Sequence, residues 1–440
     1  MSGTDYDVIV VGAGISGLVA ARALQRAGLS VKVLEAGAVP GGRVGDMEVR
    51  GIRFNTGARL IYPFSKPFNA LLDELGLKDQ LIEVRHLSAD CIGASDHWTV
   101  ELMPGPKSLL TPGLTLGDRL RFLPYAAAMM LARLRTDPDD ATSAMAADGE
   151  TLSDHIRRRL GPRVLARMVA PVFRGTRAWN TDDISGAFFA STTPHLLGGS
   201  HIWVLKGGMG QLPRALARDL DISCATPVRR VEIDPDGSAK VRADGPDGPL
   251  ILRGTRLVMA VEGSRVPALM PGLETADRTF FEAVRYNSLG IVHYRLNRDL
   301  PARMNFFAAD VAGPIATYQQ LPGNAATGQA PQLYAQLSPE AVARAKAEGR
   351  QADLHPMIAD RMRTLYPAFD TAVTDRHEQW IEHKLPVFYP GYAARLRAFL
   401  DRRDAAPQTV FFCGDYLTQS LLTGAAASGT RAARTLLRDL

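Results

Sequence analysis

Residues 7–35 leave the chain few choices of fold. Residues 7–11 (DVIVV) are a continuous β-branched run of the kind shown by a strand buried on both faces, and they lead directly into Gly12-Ala13-Gly14-Ile15-Ser16-Gly17. Residues 18–27 follow with Ala and Leu at helical spacing and end at Gly28. Residues 30–34 then make a second strand that closes on Glu35, about twenty residues beyond the glycine turn. Each part has a mechanical use: Gly12 permits the tight turn, Gly14 lets a pyrophosphate reach the backbone, and Gly17 lets helix and strand pack closely. The helix start offers free N–H groups and a positive dipole end to phosphates. Glu35 would accept from ribose hydroxyls and favours a free 2′-OH over a 2′-phosphate. The unit predicts a dinucleotide.

Two further segments address the same ligand. Pro40-Gly41-Gly42-Arg43 is a second glycine turn whose guanidinium can add charge-assisted bonds to a diphosphate. Residues 51–60 (GIRFNTGARL) bring another turn after a short strand. Near the other end, the apolar run 409–412 enters Cys413-Gly414-Asp415-Tyr416, then Leu422-Thr423-Gly424-Ala425 and a helix of small residues through 437. A carboxylate at a strand end suits a ribitol or ribose hydroxyl. A helix starting at Gly424 would point its positive end at the negative N1 and O2 region of a reduced flavin.

The remaining sequence mostly excludes. At 440 residues the chain is too long for one compact core, and 46% hydrophobic with 22% charged residues is ordinary globular composition rather than disorder. The net charge of +5 comes from 43 Arg and 8 Lys scattered with no run longer than Arg157-Arg158-Arg159. Nucleic acid is therefore not expected as a partner. Three cysteines (Cys91, Cys224, Cys413) without a CxxC pair encode neither a disulfide framework nor a zinc ribbon, so no metal is expected and a cytoplasmic location fits. Residues 1–11 show no secretory leader. The longest uncharged apolar segment, 122–132, is interrupted by Pro124 and is well short of the roughly 18–20 residues that span a bilayer. GxSxG and GxxxxGK[ST] are absent, and His377-Glu378 has its next histidine at His383, which is not HExxH spacing.

GAGISG with Glu35, GGR at 41–43 and the terminal FFCGDYLTQSLLTGAAASGTRAA together resemble the flavin-dependent superfamily of amine oxidases, protoporphyrinogen oxidases and carotenoid (phytoene) desaturases. GARLIYPF (57–64), WVLKGGMGQLPRAL (203–216) and LPVFYPGYAARL (385–396) look like the same superfamily, so the likeness is strong at both ends and loose in the middle. The resemblance implies an α/β fold: a Rossmann-like FAD-binding domain written in pieces (1–66, 198–265, 405–440) with an inserted α+β substrate domain (67–197, 266–404). It implies non-covalent FAD held by Gly12, Gly14, Ile15, Ser16, Gly17, Glu35, Ala36, Gly42, Arg43, Gly57, Ala58, Arg59, Val228, Gly414, Asp415, Leu422, Thr423 and Ala425. Cys413 reads as core packing rather than a covalent flavin tether. Residues 207–210 do not meet G-x-G-x-x-G spacing, so no second nucleotide site is expected; electrons enter from an organic substrate and leave to oxygen or a quinone.

Amine oxidation in this superfamily commonly uses a lysine near flavin N5 and two aromatic rings around the amine. The corresponding strand, 288–296 (SLGIVHYRL), has no lysine, and none lies between Lys240 and Lys346. The aromatic expected before the last helix aligns with Leu421, leaving Tyr389 and Tyr392 to supply the other half. Strand alternation lets only one of His293 and Tyr294 look inward. Tyr62 is a wall candidate, and Arg59 either binds a substrate carboxylate or pairs with a local acid.

The helical stretches 68–77 and 114–134 carry apolar residues at helical spacing, the latter with Arg119, Arg121, Arg133 and Arg135. In the carotenoid and porphyrinogen enzymes the comparable region borders a greasy channel and sometimes touches the membrane, so a peripheral contact is open here. Residues 136–148 and 323–331 read as surface loops. The expected function is dehydrogenation of a C–C or C–N bond in a largely apolar substrate by hydride transfer to FAD, in the manner of protoporphyrinogen oxidases and carotenoid desaturases. Positioning near N5 and a dry pocket do most of that chemistry, so no general base is named. The alternatives are an amine oxidase releasing imine and hydrogen peroxide, and a non-redox flavin isomerase or lipid-binding relative. A homodimer is left open.

Overall fold

The computed structural model describes residues 4–85, 87–301, 303–324 and 329–440. It is a mixed α/β structure built on two seven-stranded sheets. The first runs in the order Val228–Ile233, Ala239–Gly245, Gly248–Met259, Tyr6–Val11, Val31–Leu34, Asp221–Ser223, with Val410–Phe412 added beside Gly248–Met259. Tyr6–Val11 lies parallel to Val31–Leu34 on one side and to residues 254–259 on the other. Val8, Ile9 and Val10 are completely buried, because separate apolar clusters cover the two faces of this sheet; the run therefore needs no polar alternation.

Helix Ile15–Arg26 packs along helix Leu422–Arg438 within one core. The approach is close enough that a Cβ on Gly17 would overlap the Gly12 carbonyl oxygen, and one on Gly429 would overlap the Ser16 carbonyl oxygen. The first and last parts of the described chain are thus one structural unit.

The second sheet runs Val373–Pro386, Tyr286–Leu296, Gln332–Leu337, Ile315–Leu321, Asn305–Phe307, Ser88–Ile92, His97–Glu101. Its pairings are antiparallel except for Asn305–Phe307 beside Ser88–Ile92. Val292 and Tyr294 point into the apolar cluster on one face; Leu289, Ile291 and His293 face a large cavity on the other. Helices Leu116–Ala132, Leu152–Arg159 and Gly186–Leu196 supply the helical part, with a run from Pro162 to Arg177 that carries a π turn at Leu165–Val169. Met168 and Val169, in that π turn, line the cavity, in keeping with the habit of π turns to sit at functional sites. Among the described residues no helix is long and apolar enough to cross a membrane.

Two expectations are corrected. Residues 136–148 are not a surface loop: Ala141–Ala147 forms 3-10 turns in which Ala141, Ala144 and Ala147 are buried, and Ala141 N–H donates to the Thr418 carbonyl. The last helix begins at Leu422 rather than Gly424, with Leu421 just before it.

Candidate functional site

A single cavity of about 1750 Å³ extends from the carboxyl ends of the first sheet's central strands to the second sheet and the helical region. Gly12, Gly14, Ile15, Ser16, Glu35, Ala36 and Val228 line it. So do Gly42, Arg43, Gly57, Ala58, Arg59, Gly414, Asp415, Leu422, Thr423 and Ala425. Gly17 does not: it sits behind the turn against Gly12 and Ala260, so its missing side chain serves helix packing rather than ligand contact.

Helices Ile15–Arg26 and Leu422–Arg438 both start at this cavity with no side chain bound to their first N–H groups. Two positive helix ends with unspent donors therefore face one space. Gly14 has nothing within 4 Å of where a Cβ would stand, so the backbone there is open to a ligand. Glu35 uses both oxygens on the main chain: Oε2 accepts from Ala13 N–H at 2.7 Å and Oε1 from Gly37 N–H at 2.7 Å. It braces the glycine turn while keeping lone pairs for a hydroxyl donor.

Arg43 is more committed than its sequence position implied. Nη2 donates to Asp415 Oδ1 at 2.9 Å, Nη1 donates to the Lys384 carbonyl at 2.9 Å, and its carbon lies 5.7 Å from the Tyr286 ring centre. Burial opposes the charge, but Asp415, Tyr286 and Glu262 outweigh it and hold the guanidinium protonated above its ordinary range. The side chain thus ties the second glycine turn to the last strand's end instead of being free for a diphosphate.

Toward the second sheet, Arg59, Tyr62, His293 and Leu421 all line the cavity. His293 is stacked on Phe54 at 4.6 Å, and its Nε2 meets Gln379 Oε1 at 3.0 Å. Burial, with Arg59 and His377 nearby, pushes its pKa down to about 3 despite the Gln379 contact, so the ring stays neutral. Tyr294 points away and meets His355 at 3.0 Å. Tyr389 and Tyr392 are not cavity residues. Tyr392 is buried with its hydroxyl donating to the Tyr416 carbonyl at 2.8 Å, and Tyr389 donates to the Ala283 carbonyl at 3.1 Å. Both rings belong to the aromatic core around Phe388, where burial outcompetes any outward placement.

The sequence reading missed Lys384 and Arg177. Lys384 lies on Val373–Pro386, the strand hydrogen-bonded to Tyr286–Leu296, and faces the cavity. A lysine supplied by a partner strand far along the chain leaves no mark in 288–296; its place beside the LPVFYPG segment was the available signal. Arg177 ends helix Ala170–Arg177, its guanidinium 4.9 Å from the Phe188 ring centre. Burial, then the charges of Arg59 and Arg177, press the Lys384 ammonium well below its usual range.

A family model described as flavin containing amine oxidoreductase matches residues 15–437. The chain is 28% identical over 179 residues to protoporphyrinogen oxidase 2, chloroplastic/mitochondrial, of Arabidopsis thaliana, a match covering 40% of this chain and 34% of that protein. It is 49% identical over 74 residues to putrescine oxidase of Kocuria rosea, covering 17% and 16% respectively. The chain therefore spans well under two thirds of either relative's length. Among solved structures, cyclohexylamine oxidase from Brevibacterium oxydans IH-35A has the same fold, with a TM-score of 0.71 at 20% identity and 99% of each chain covered.

Proposed function

The chain belongs to the flavin containing amine oxidoreductases, flavin-dependent oxidoreductases, and within that family we propose that it uses FAD to dehydrogenate a C–C or C–N bond of a largely apolar substrate. One observation carries the reading: the glycine turns, Glu35 and Val228 share one continuous cavity with the apolar wall formed by Phe122, Met129, Leu289 and Ile291. Nucleotide and substrate can therefore lie in contact within one space.

The residues present fit FAD. The uncapped start of helix Ile15–Arg26 would receive the diphosphate beside the open backbone at Gly14, with Glu35 on a ribose. The uncapped start of helix Leu422–Arg438 would face the flavin's N1 and O2 edge, and Asp415, oriented by Arg43, the ribityl chain. Bound there, FAD would supply a two-electron acceptor for the substrate's hydride, with oxygen or a quinone as the onward acceptor. The chain's part is to orient the substrate carbon and exclude water: Ile291 and Leu289 form an aliphatic floor, His293 is held neutral, and Leu421 closes the wall before the last helix. In this reading residues 1–66, 198–265 and 405–440 form the FAD domain, and 67–197 and 266–404 the substrate domain.

A lipid surface belongs to the proposal. Leu110, Leu116, Leu120, Leu123, Met130, Leu131 and Leu134 are all exposed, Leu134 at 83%, on or beside helix Leu116–Ala132. Arg119, Arg121, Arg133 and Arg135 are exposed among them, and the same helix sends Phe122, Tyr125 and Met129 to the cavity. An apolar face rimmed by arginines suits an anionic bilayer and would let an apolar substrate enter directly.

An amine substrate is the second reading, favoured by the 49% identity with putrescine oxidase over 74 residues. Against it stand the aliphatic Leu421 and the removal of Tyr389 and Tyr392 into the core. Purified protein with bound flavin, titrated anaerobically with a protoporphyrinogen, a hydrogenated polyene and a set of alkylamines, tests these readings. Bleaching of the flavin bands by one of the first two supports the dehydrogenase. Bleaching by amines alone, with peroxide on readmitting air, selects the amine oxidase. Product formed from a polyene while the flavin stays oxidised selects an isomerase.

A further inference from the structure

Two arginines and a lysine meet at the cavity without a carboxylate beside them. Among the described residues Arg59, Arg177 and Lys384 make no ion pair, whereas the buried Arg174 pairs with Glu340 and Arg43 with Asp415. The Arg59 guanidinium lies 4.3 Å from the Tyr334 ring centre, and that of Arg177 lies 4.9 Å from Phe188. Stacking of this kind engages a guanidinium's face and leaves its N–H fork pointing sideways and unspent; neither side chain donates a hydrogen bond to a described residue. Lys384 Nζ donates once, to the Thr176 carbonyl at 3.2 Å, which leaves two of its three donors.

The acids that also reach the cavity are committed elsewhere. Asp415 holds Arg43, Glu262 holds His383 and Arg265, and Glu35 holds two backbone N–H groups. Glu101 lies on His97–Glu101, the strand at the opposite edge of the second sheet from the one bearing Lys384. Two guanidiniums and a lysine amine from three elements, the loop after Ile52–Asn55, the end of helix Ala170–Arg177 and strand Val373–Pro386, are therefore gathered in one otherwise greasy chamber.

We propose that Arg59, Arg177 and Lys384 form an anion-receiving pole, and that the substrate is an apolar molecule carrying a carboxylate which docks there. This rests on the flavoenzyme reading and gives it a substrate class. It also sets this chain against amine substrates, since an ammonium group would enter beside two unpaired guanidiniums. Lys384 has a purely structural role to be weighed as well, because its bond to Thr176 satisfies a carbonyl in the last turn of a helix. That role explains one donor of one residue; it explains neither arginine and neither remaining ammonium donor.

The test needs no turnover, so it can fail while the flavoenzyme reading stands. The flavin-loaded protein is titrated with 4-phenylbutanoate, 4-phenylbutanol and 4-phenylbutylammonium, which share one apolar body, and binding is followed by calorimetry and by perturbation of the flavin spectrum. The expected result is that the carboxylate binds at least tenfold tighter than the alcohol and the ammonium compound weakest of all. Lys384→Met and Arg177→Leu should each reduce carboxylate affinity at least tenfold while changing alcohol affinity less than threefold. Thermal unfolding and the flavin midpoint potential of each variant are measured alongside. Equal or tighter binding of the ammonium compound overturns the proposal, as does a carboxylate preference that survives both substitutions. A shifted flavin potential with unchanged carboxylate affinity also overturns it, because the cations would then serve the flavin's own negative edge. Protein that carries no flavin would instead overturn the flavoenzyme reading.

Discussion

Arg43 and Asp415 lie 372 positions apart and meet through a 2.9 Å bond from Nη2 to Oδ1, with the aspartate almost wholly buried. The same guanidinium donates to the Lys384 carbonyl at 2.9 Å. One side chain from the second glycine turn therefore fixes the end of the last strand and the strand that carries the cationic pole.

Removing one member of this pair should disturb both. Asp415→Asn leaves the Arg43 guanidinium facing an amide, and a loss of ~2 kcal/mol in unfolding free energy is expected, below that of a fully buried pair because Arg43 is partly exposed. Flavin retention on gel filtration should fall in the same variant. Urea unfolding with and without added FAD checks both effects; unchanged stability and full flavin occupancy would show that the bridge organises nothing.

The glycines of the first turn should separate into two kinds. A side chain at Gly17 overlaps the Gly12 carbonyl, so Gly17→Ala should cost more than about 4 kcal/mol and yield little folded protein. Gly14 has open space around it, so Gly14→Ala should keep the apoprotein's melting temperature within a few degrees while cutting bound flavin severely. Circular dichroism together with the ratio of flavin to protein absorbance distinguishes the two. Equal behaviour of the two variants would contradict the split between packing and ligand approach.

Much of this was legible in the residues, and the failures have physical reasons. The run 7–11, the glycine turn and Glu35 are local in sequence, and their neighbours along the chain determine their geometry, so the reading and the structure coincide there. Gly17 illustrates a motif residue whose function is steric rather than contact. Tyr389 and Tyr392 carry the residue type an aromatic cage needs, yet packing around Phe388 claims both rings. Lys384 escaped notice because its partner strand lies far away in sequence; pairing such as Asn287 opposite Leu385 is decided by the whole sheet, and no local pattern encodes it. The cluster at Ala141–Ala147 was hidden by flanking aspartates that cap turns rather than mark a solvated loop.

His293 gives a pH signature. Its folded pKa lies near 3 because burial disfavours the charged ring, whereas an unfolded histidine titrates near 6.5. The unfolded state thus binds a proton that the folded state refuses, and stability falls as pH drops from about 6.5 toward 3, by up to ~1.4 kcal/mol per pH unit from this group. Above pH 6.5 the group contributes no slope. His293→Gln, which can still donate to Gln379, should flatten the acid limb of a stability profile measured between pH 7 and 4.5. An unchanged limb would mean that the folded ring protonates normally.

The exposed face around helix Leu116–Ala132 can be examined without knowing the substrate. Seven large apolar side chains in that region stand in solvent, a concentration beyond what isolated surface leucines explain, and four exposed arginines lie between them. Partition into bilayers should therefore need both terms: burial of the apolar face, and attraction of the arginines to anionic lipid at ~1 kcal/mol for each cation near the surface. The protein should float with vesicles containing phosphatidylserine at low salt, much less with neutral phosphatidylcholine vesicles, and less again as salt rises. Leu120→Asp with Leu131→Asp should abolish flotation while raising solubility and leaving flavin content unchanged, since neither side chain lines the cavity. Equal flotation of the double variant would place the contact elsewhere, and no flotation of the unaltered protein under any of these conditions would remove the lipid surface from the proposed function.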